Sequence, residues 1–390
     1  MRKSKNLQQI LIDPARNNFN MIRLFMALGV LYNHCFVLFN PNGKSDLCNL
    51  VFQKFDAGQF AVSGFFLISG MLLSQSFHQT NDRLKFILKR IFRIFPALIV
   101  CVILTILIFA ALGTRLPLQE YYTSRGTYRY LYNILLNNDY FIYTIPGSFE
   151  SNFYPNYVNG SLWTLPFELL CYISLFILLS VLYYFVYSSA SRMRKLLLTG
   201  LALYFLFYIF GKPVLMERIP SLYMGGIVDF DLQNDPLRLY LFFGSGMLLY
   251  FLRKYIPVNG VILAILLILL AAKHYFPNTT AASIIEYFNV MYILLFWAGY
   301  KPLHKFNWKL DPSYGIYLYA WPVQQVISNY FRLTAYESLL ISVPIVAILG
   351  ILSYVIVERP SLNLAGKIAF RLKSKKEIKK VPGLENFEYS

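Results

Sequence analysis

The fold class this sequence predicts is an all-α integral membrane protein with about ten transmembrane helices and both termini cytoplasmic. Three observations carry that expectation. Hydrophobic residues make up 57% of the 390 residues and charged residues only 14%, whereas a soluble domain of this length carries about 25% charge. Apolar runs recur at lengths near the ~17–25 residues needed to cross a bilayer. Basic residues collect in alternate connecting segments, as the positive-inside rule requires.

The runs predict spans at 19–40, 58–77, 94–113, 160–187, 196–211, 238–252, 257–272, 283–300, 313–331 and 337–357. With the N-terminus inside, 25 of the 36 Lys and Arg residues fall in inner segments, and an odd number of spans breaks that alternation. The organisation read from this is a cytoplasmic segment over 1–18, a polytopic membrane domain over 19–357 and a basic cytoplasmic tail over 358–390. Residues 1–18 are polar and no small-residue cleavage site follows the first apolar run, so no signal peptide is expected. The long outer segments, about 114–159 and 212–237, are of a length that more often serves function than idle connection. The first is rich in Tyr and Asn and is expected to cover the outer mouth, with an interfacial piece around Tyr128 to Tyr143. The second carries Asp229, Asp231 and Asp235.

Composition also excludes function classes. The net charge of +17 follows membrane topology rather than forming one basic surface, which argues against a nucleic-acid partner. Cys35, Cys48, Cys101 and Cys171 form no CxxC or Cys/His pattern, so they read as structural and no metal site is expected. No internal repeat is visible, which weakens a transporter of duplicated halves. The basic tail reads as a topology signal that contacts anionic membrane lipids.

Against that apolar background the ionisable residues inside spans stand out, because their cost usually marks a functional path. Arg23 and His34 are eleven residues apart, close to three helical turns, and so share a face of the first span with Asn20. A histidine is the usual general base near neutral pH. Arg90 and Arg93, at the entrance to the third span, share a face and offer two planar donor forks suited to phosphate. Positive-inside anchoring explains that pair equally by spacing alone. Glu168 follows Gly160-Ser161-Leu162-Trp163-Thr164-Leu165-Pro166-Phe167, about two turns into the fourth span and near the expected depth of His34, about 10 Å down. It reads either as the carboxylate that orients the base or as a structural partner of an arginine. The run from Asp311 to Gln325 and the later Val357-Glu358-Arg359-Pro360 read as helix boundaries, with a polar patch at Gln324 and Gln325.

Taken together these segments resemble the acyltransferase family 3 membrane proteins, which include O-antigen, capsule and Nod-factor O-acetyltransferases. The likeness runs from Asn18 to about Ala365. Phe19-Asn20-Met21-Ile22-Arg23, ten residues and then His34 is similar to the family's first span. Ser63-Gly64-Phe65-Phe66-Leu67-Ile68-Ser69-Gly70 resembles its second. Arg90 and Arg93 match its Arg-x-x-Arg, Trp163 to Glu168 its Trp-x-Leu-x-x-Glu, and Ser313 to Pro322 its Ser-Tyr-x-x-Tyr-Leu segment. Two departures are Asn20, where the family commonly has Asp, and Ala320, where some members have His. About 30 residues follow Glu358-Arg359-Pro360, so the SGNH-hydrolase-like domain that some members carry is not expected.

The resemblance implies an acyl-CoA co-substrate, most often acetyl-CoA, with no bound cofactor, and a carbohydrate or glycolipid acceptor. It implies a multi-pass protein of the bacterial cytoplasmic (inner) membrane. By that reading His34 is the base and Glu168 its support, while Arg23, Arg90 and Arg93 bind the donor. Asn20, Trp163, Tyr314 and Gln324 are candidates for the acceptor site or its support. The alternative from another class is a transporter or flippase for a lipid-linked sugar or small anion.

Overall fold

The computed structural model describes residues 5–13, 17–40, 46–53, 55–80, 82–137, 141–186, 190–211, 223–224, 228–229, 236–277, 279–306 and 310–378. The three aspartates at 229, 231 and 235 of the second outer segment lie outside the described side chains, as do the basic residues at 2, 3, 5, 16 and 309 and the last stretch of the tail.

A helix stands at each of the ten expected positions. In chain order these are α1 (Phe19–Phe39), α2 (Ala57–Gln79) and α3, which begins as Arg83–Leu104. Next come α4 (Leu165–Val186, entered through a 3-10 turn at Gly160–Thr164), α5 (Ala190–Leu206) and α6 (Pro236–Leu252). The last four are α7 (Gly260–Ala272), α8 (Thr280–Gly299), α9 (Ser313–Tyr330) and α10 (Ala335–Ser353 with its continuation). Six of these helical runs are long and apolar enough to cross a membrane by length and composition. The chain is therefore an all-α, multi-pass membrane protein.

Local chemistry starts the helices where the sequence offers caps. Asp56 forms a capping box with Gln59 at α2, and Thr334 forms one with Glu337 at α10. Asp82, Asn259 and Thr279 accept from backbone N–H groups of the first turns of α3, α7 and α8. Each satisfies a donor that the helix itself leaves open.

Two elements differ from expectation. The third span starts at Arg83 and runs 30 residues to Leu112, through a π turn at Thr105–Phe109. The helix therefore begins two turns ahead of Arg90 and three ahead of Arg93. The tenth helix does not stop at 357; it continues through Arg359–Ile378 across the expected boundary of the tail. A π turn at Tyr354–Glu358 interrupts the regular hydrogen-bond ladder just before Pro360, so the missing N–H of that proline causes no break.

Contacts tie alternate helix ends together. Lys5–Asn6 pairs antiparallel with Pro257–Val258, and Gln75 donates to the carbonyl of Leu11. Asn18 donates to the carbonyls of Trp297 and Tyr300. These join the start of α1 to the C-terminal ends of α2, α6 and α8, at the end of the bundle that carries Arg83, Lys85, Arg253 and Lys301. At the opposite end Asp46 accepts from Asn33 and from the backbone N–H of Ala57, and Tyr330 donates to the carbonyl of Leu112.

The tightest packing is between α2 and α6. A Cβ added at Gly70 would lie 2.0 Å from the carbonyl oxygen of Phe243, and one at Gly246 would lie 2.0 Å from that of Leu67. Only glycine lets these backbones meet, which is how small residues drive helix association where lipid removes the hydrophobic incentive. The segment after α3 folds into short helices at Leu118–Thr123 and Arg125–Arg129 and a 3-10 turn at Tyr130–Leu135. Tyr121 and Tyr130 are fully buried there, so this expected interfacial piece is a packed cap rather than a free loop. The four cysteines are free, and three of them are buried.

Candidate active site

Two cavities lie one above the other between α1, α2, α4 and α9. The narrower, about 90 Å³, is bordered by Arg23, Arg90, Arg93, Ser69, Glu168, Tyr172 and Ser313. The wider, about 520 Å³, is bordered by His34, Asn33, Asp56, Gln59, Arg238 and a set of aromatic residues. Val62 and Tyr317 border both. Helix direction orders them. Arg23 is one turn into α1 and lines the narrow cavity, while His34, three turns further on, lines the wide one.

The narrow cavity is built around a charge cluster. Arg23 donates to Asp311 at 3.0 Å, and Arg93 donates to the same carboxylate oxygen at 2.9 Å and to Glu358 at 3.1 Å. Ser313 donates to the other oxygen of Asp311 at 2.5 Å. Asp311 stands just ahead of α9 and outside the span. Burial alone raises its carboxyl, but Arg93 and Arg23 outweigh burial and hold it down at about 2. Arg93 thus bridges two carboxylates contributed by different elements and ties α3 to α9 and α10. Arg90 differs: its Nε is buried without a hydrogen-bond partner among the described residues, and its guanidinium lies 5.5 Å from the Phe86 ring. A buried donor left open in this way is costly and suits a ligand anion.

Glu168 accepts a hydrogen bond from Tyr172 and faces the arginines. The expectation that it lies beside His34 is corrected, because the two border different cavities. The residue counts from the helix ends differ. Glu168 is eight residues from Gly160, about 14 Å, of which the steeper rise of the 3-10 turn supplies only about 2 Å. His34 is only about 8 Å from the Phe39 end of α1.

In the wide cavity His34 is 8% exposed and its Nδ1 is buried with no partner among the described residues. Its ring meets Trp321 edge to face, with centroids 4.8 Å apart. Trp321 is itself fixed, donating from Nε1 to the carbonyl of Tyr157 at 2.9 Å. Gly160 makes room for that indole, since a Cβ there would come within 2.9 Å of it. Trp163, Tyr143, Tyr154 and Tyr157 complete an aromatic wall. Gln325 donates to the carbonyls of Tyr154 and Tyr157 and accepts from Asn152, pinning the outer segment onto α9.

The remaining expected residues divide by location. Trp163 borders the wide cavity and Tyr314 the narrow one, where its hydroxyl donates to the carbonyl of Ile94 at 3.1 Å. Gln324 borders neither; it donates to the carbonyl of Leu31 and to Cys35 Sγ, both at 3.0 Å, and so joins α9 to α1. Asn20 is half-buried in the first turn of α1 and borders neither cavity. Asp311, Glu358, Asp56 and Trp321 escaped the sequence reading as site residues. The available signal was charge balance, because three arginines within apolar helices require counterions close by.

The described residues form a helical membrane bundle with an arginine-lined chamber below a histidine-bordered aromatic one. The sequence matches the acyltransferase domain family over residues 16–358, and the chain belongs to that family. It is 30% identical over 355 residues to the O-acetyl transferase of Shigella phage Sf6, covering 89% of this chain and 96% of that protein. It is also 31% identical over 177 residues to nodulation protein 10 of Rhizobium leguminosarum bv. viciae, covering 43% of this chain and 45% of that one. No solved structure matches the chain.

Proposed function

We propose that this acyltransferase is an O-acyltransferase of the bacterial cytoplasmic membrane. It transfers an acyl group, acetyl being favoured, from acyl-CoA to a hydroxyl of a surface or secreted carbohydrate or glycolipid. The observation that carries the reading is the pair of dissimilar chambers that share a wall at Tyr317 and Val62. In this topology α1 to α10 cross the membrane in alternation with both termini cytoplasmic, which agrees with the contacts between alternate helix ends. The donor then enters from the basic end. Arg90 offers its open Nε donor to a phosphate, while Arg23 and Arg93, tied to Asp311 and Glu358, set the field around it. The wide aromatic chamber suits an acceptor sugar, whose apolar ring faces stack on aromatic side chains.

In the reaction the imidazole of His34 takes the proton of the acceptor hydroxyl as its oxygen attacks the thioester carbonyl carbon. The new C–O bond forms, the C–S bond breaks, and the imidazolium returns the proton to the departing thiolate. The products are the ester and free coenzyme A. Glu168, bonded to Tyr172 in the donor chamber, offsets the arginine charge there and acts on the base only at a distance.

The test is mass spectrometry of envelope carbohydrates and glycolipids with and without the gene. Loss of an acyl ester, restored by the wild-type gene and not by His34→Ala, is the expected result. Unchanged acylation contradicts the reading. Loss of sugar export with acylation retained supports a transporter or flippase instead.

A further inference from the structure

The wall between the chambers is a built element. Tyr317 lies one helical turn from Tyr314, which borders the narrow chamber, and one turn from Trp321, which borders the wide one. Its hydroxyl donates to the carbonyl of Ser161 and shares a 2.6 Å hydrogen bond with Thr164 Oγ1. These bonds hold α9 to the 3-10 turn that opens α4. Phe65 backs the ring edge to face at 6.2 Å, and Val62 of α2 borders both chambers as Tyr317 does.

We propose that Tyr317 and Val62 form a septum that sets the length of the acyl chain transferred, which makes them specificity-determining residues. The inference rests on the reading that the donor occupies the narrow chamber and His34 serves the wide one. A thioester delivered from one to a base in the other presents its carbonyl at the septum. The acyl chain must then fit between Val62, Phe65 and the Tyr317 ring. Val62 and Tyr317 border both chambers, so an acyl chain presented there meets their side chains directly, and each added methylene must be accommodated against them. Polar bonds of the Tyr317 hydroxyl on one edge fix the ring, so the space does not adapt by simple rotation.

The experiment measures coenzyme A release by purified, reconstituted protein with acetyl-, propionyl- and butyryl-CoA, supplied with a carbohydrate fraction from the host envelope. The readout is the ratio of kcat/KM for the longer donors to that for acetyl-CoA, which does not depend on how much protein is folded. Val62→Ala is expected to raise the propionyl-to-acetyl ratio about tenfold, the usual consequence of one methylene-sized space in an apolar pocket. Tyr317→Leu should raise the butyryl-to-acetyl ratio further, whereas Tyr317→Phe, which keeps the ring but frees it from Ser161 and Thr164, should raise it less than Tyr317→Leu does. If Tyr317→Leu does not fold, Val62→Ala decides alone, since it removes only two methyl groups. Wild-type turnover with ratios unchanged in Val62→Ala overturns the septum and leaves the proposed function standing. Wild-type protein that turns over none of the three donors overturns both.

Discussion

Asp311→Asn probes the charge cluster most directly. Asparagine keeps the shape of the side chain and removes the shared counterion of Arg23 and Arg93. Opposite unit charges about 4 Å apart attract by about 4 kcal/mol at an effective dielectric of about 20. Removing one partner of a buried pair costs about 3–5 kcal/mol, because the other charge is left behind. Arg93 keeps Glu358, and the side chains of Arg23 and Arg93 are 24% and 20% exposed. The lower end of the range, about 3 kcal/mol, therefore applies. At about 2 °C per kcal/mol for a chain of this size, the melting temperature in detergent should fall by about 6 °C. Glu358→Gln removes one bond and should have a smaller effect. The double variant Arg23→Met with Asp311→Asn should be more stable than the sum of the singles by about 1 kcal/mol or more. Thermal unfolding followed by size-exclusion retention, applied to these variants and to Arg23→Met alone, supplies the values. An Asp311→Asn protein that melts within about 1 °C of wild type refutes the counterion role.

The other predictions follow from single contacts. Arg90→Ala should raise the KM for acetyl-CoA by about tenfold or more, the worth of a charge-assisted hydrogen bond, with little change in melting temperature because Arg90 makes no ion pair among the described residues; equal KM values in steady-state assays would contradict it. Gly160→Ala should displace Trp321 from His34 and lower kcat while the protein still inserts, which turnover and tryptophan fluorescence measured together can check. Gly70→Ala should strongly reduce the yield of folded protein, because its new methyl meets backbone rather than a movable side chain; a normal size-exclusion profile would show that α2 and α6 pack less closely than described. Asp311 should not titrate in any working pH range. A carboxyl depressed to about 2 contributes stability that is fully present above its unfolded value and is lost only as pH falls toward the folded one. Melting curves between pH 5 and 8 should show no step from this group.

The helices were legible because a membrane span is specified by length and apolarity, both written locally in the chain. The placement of Arg23 and His34 on successive levels of one helix was legible for the same reason, since helical rise is fixed. Depth comparisons between helices were not. Counting from span ends sets Glu168 and His34 at similar depths, yet the two border different cavities, because span ends fix depth only to within a few residues. Counterions were equally hidden: Asp311 and Glu358 meet Arg93 from positions more than 200 residues away. Nothing local distinguishes them from ordinary helix-end charges. The proposed role of Tyr317 is not local either, because it depends on two cavities that this residue borders only in the folded bundle.

Acyl transfer by the purified protein, with wild type and His34→Gln compared side by side, tests the central claim most directly. With radiolabelled acetyl-CoA and an envelope carbohydrate acceptor, wild type should form labelled ester and release free coenzyme A in equal amounts. His34→Gln, with the same size-exclusion profile, should lose at least about two orders of magnitude in ester formation, the usual worth of a general base. A well-folded His34→Gln protein that esterifies the acceptor at the wild-type rate would contradict the account.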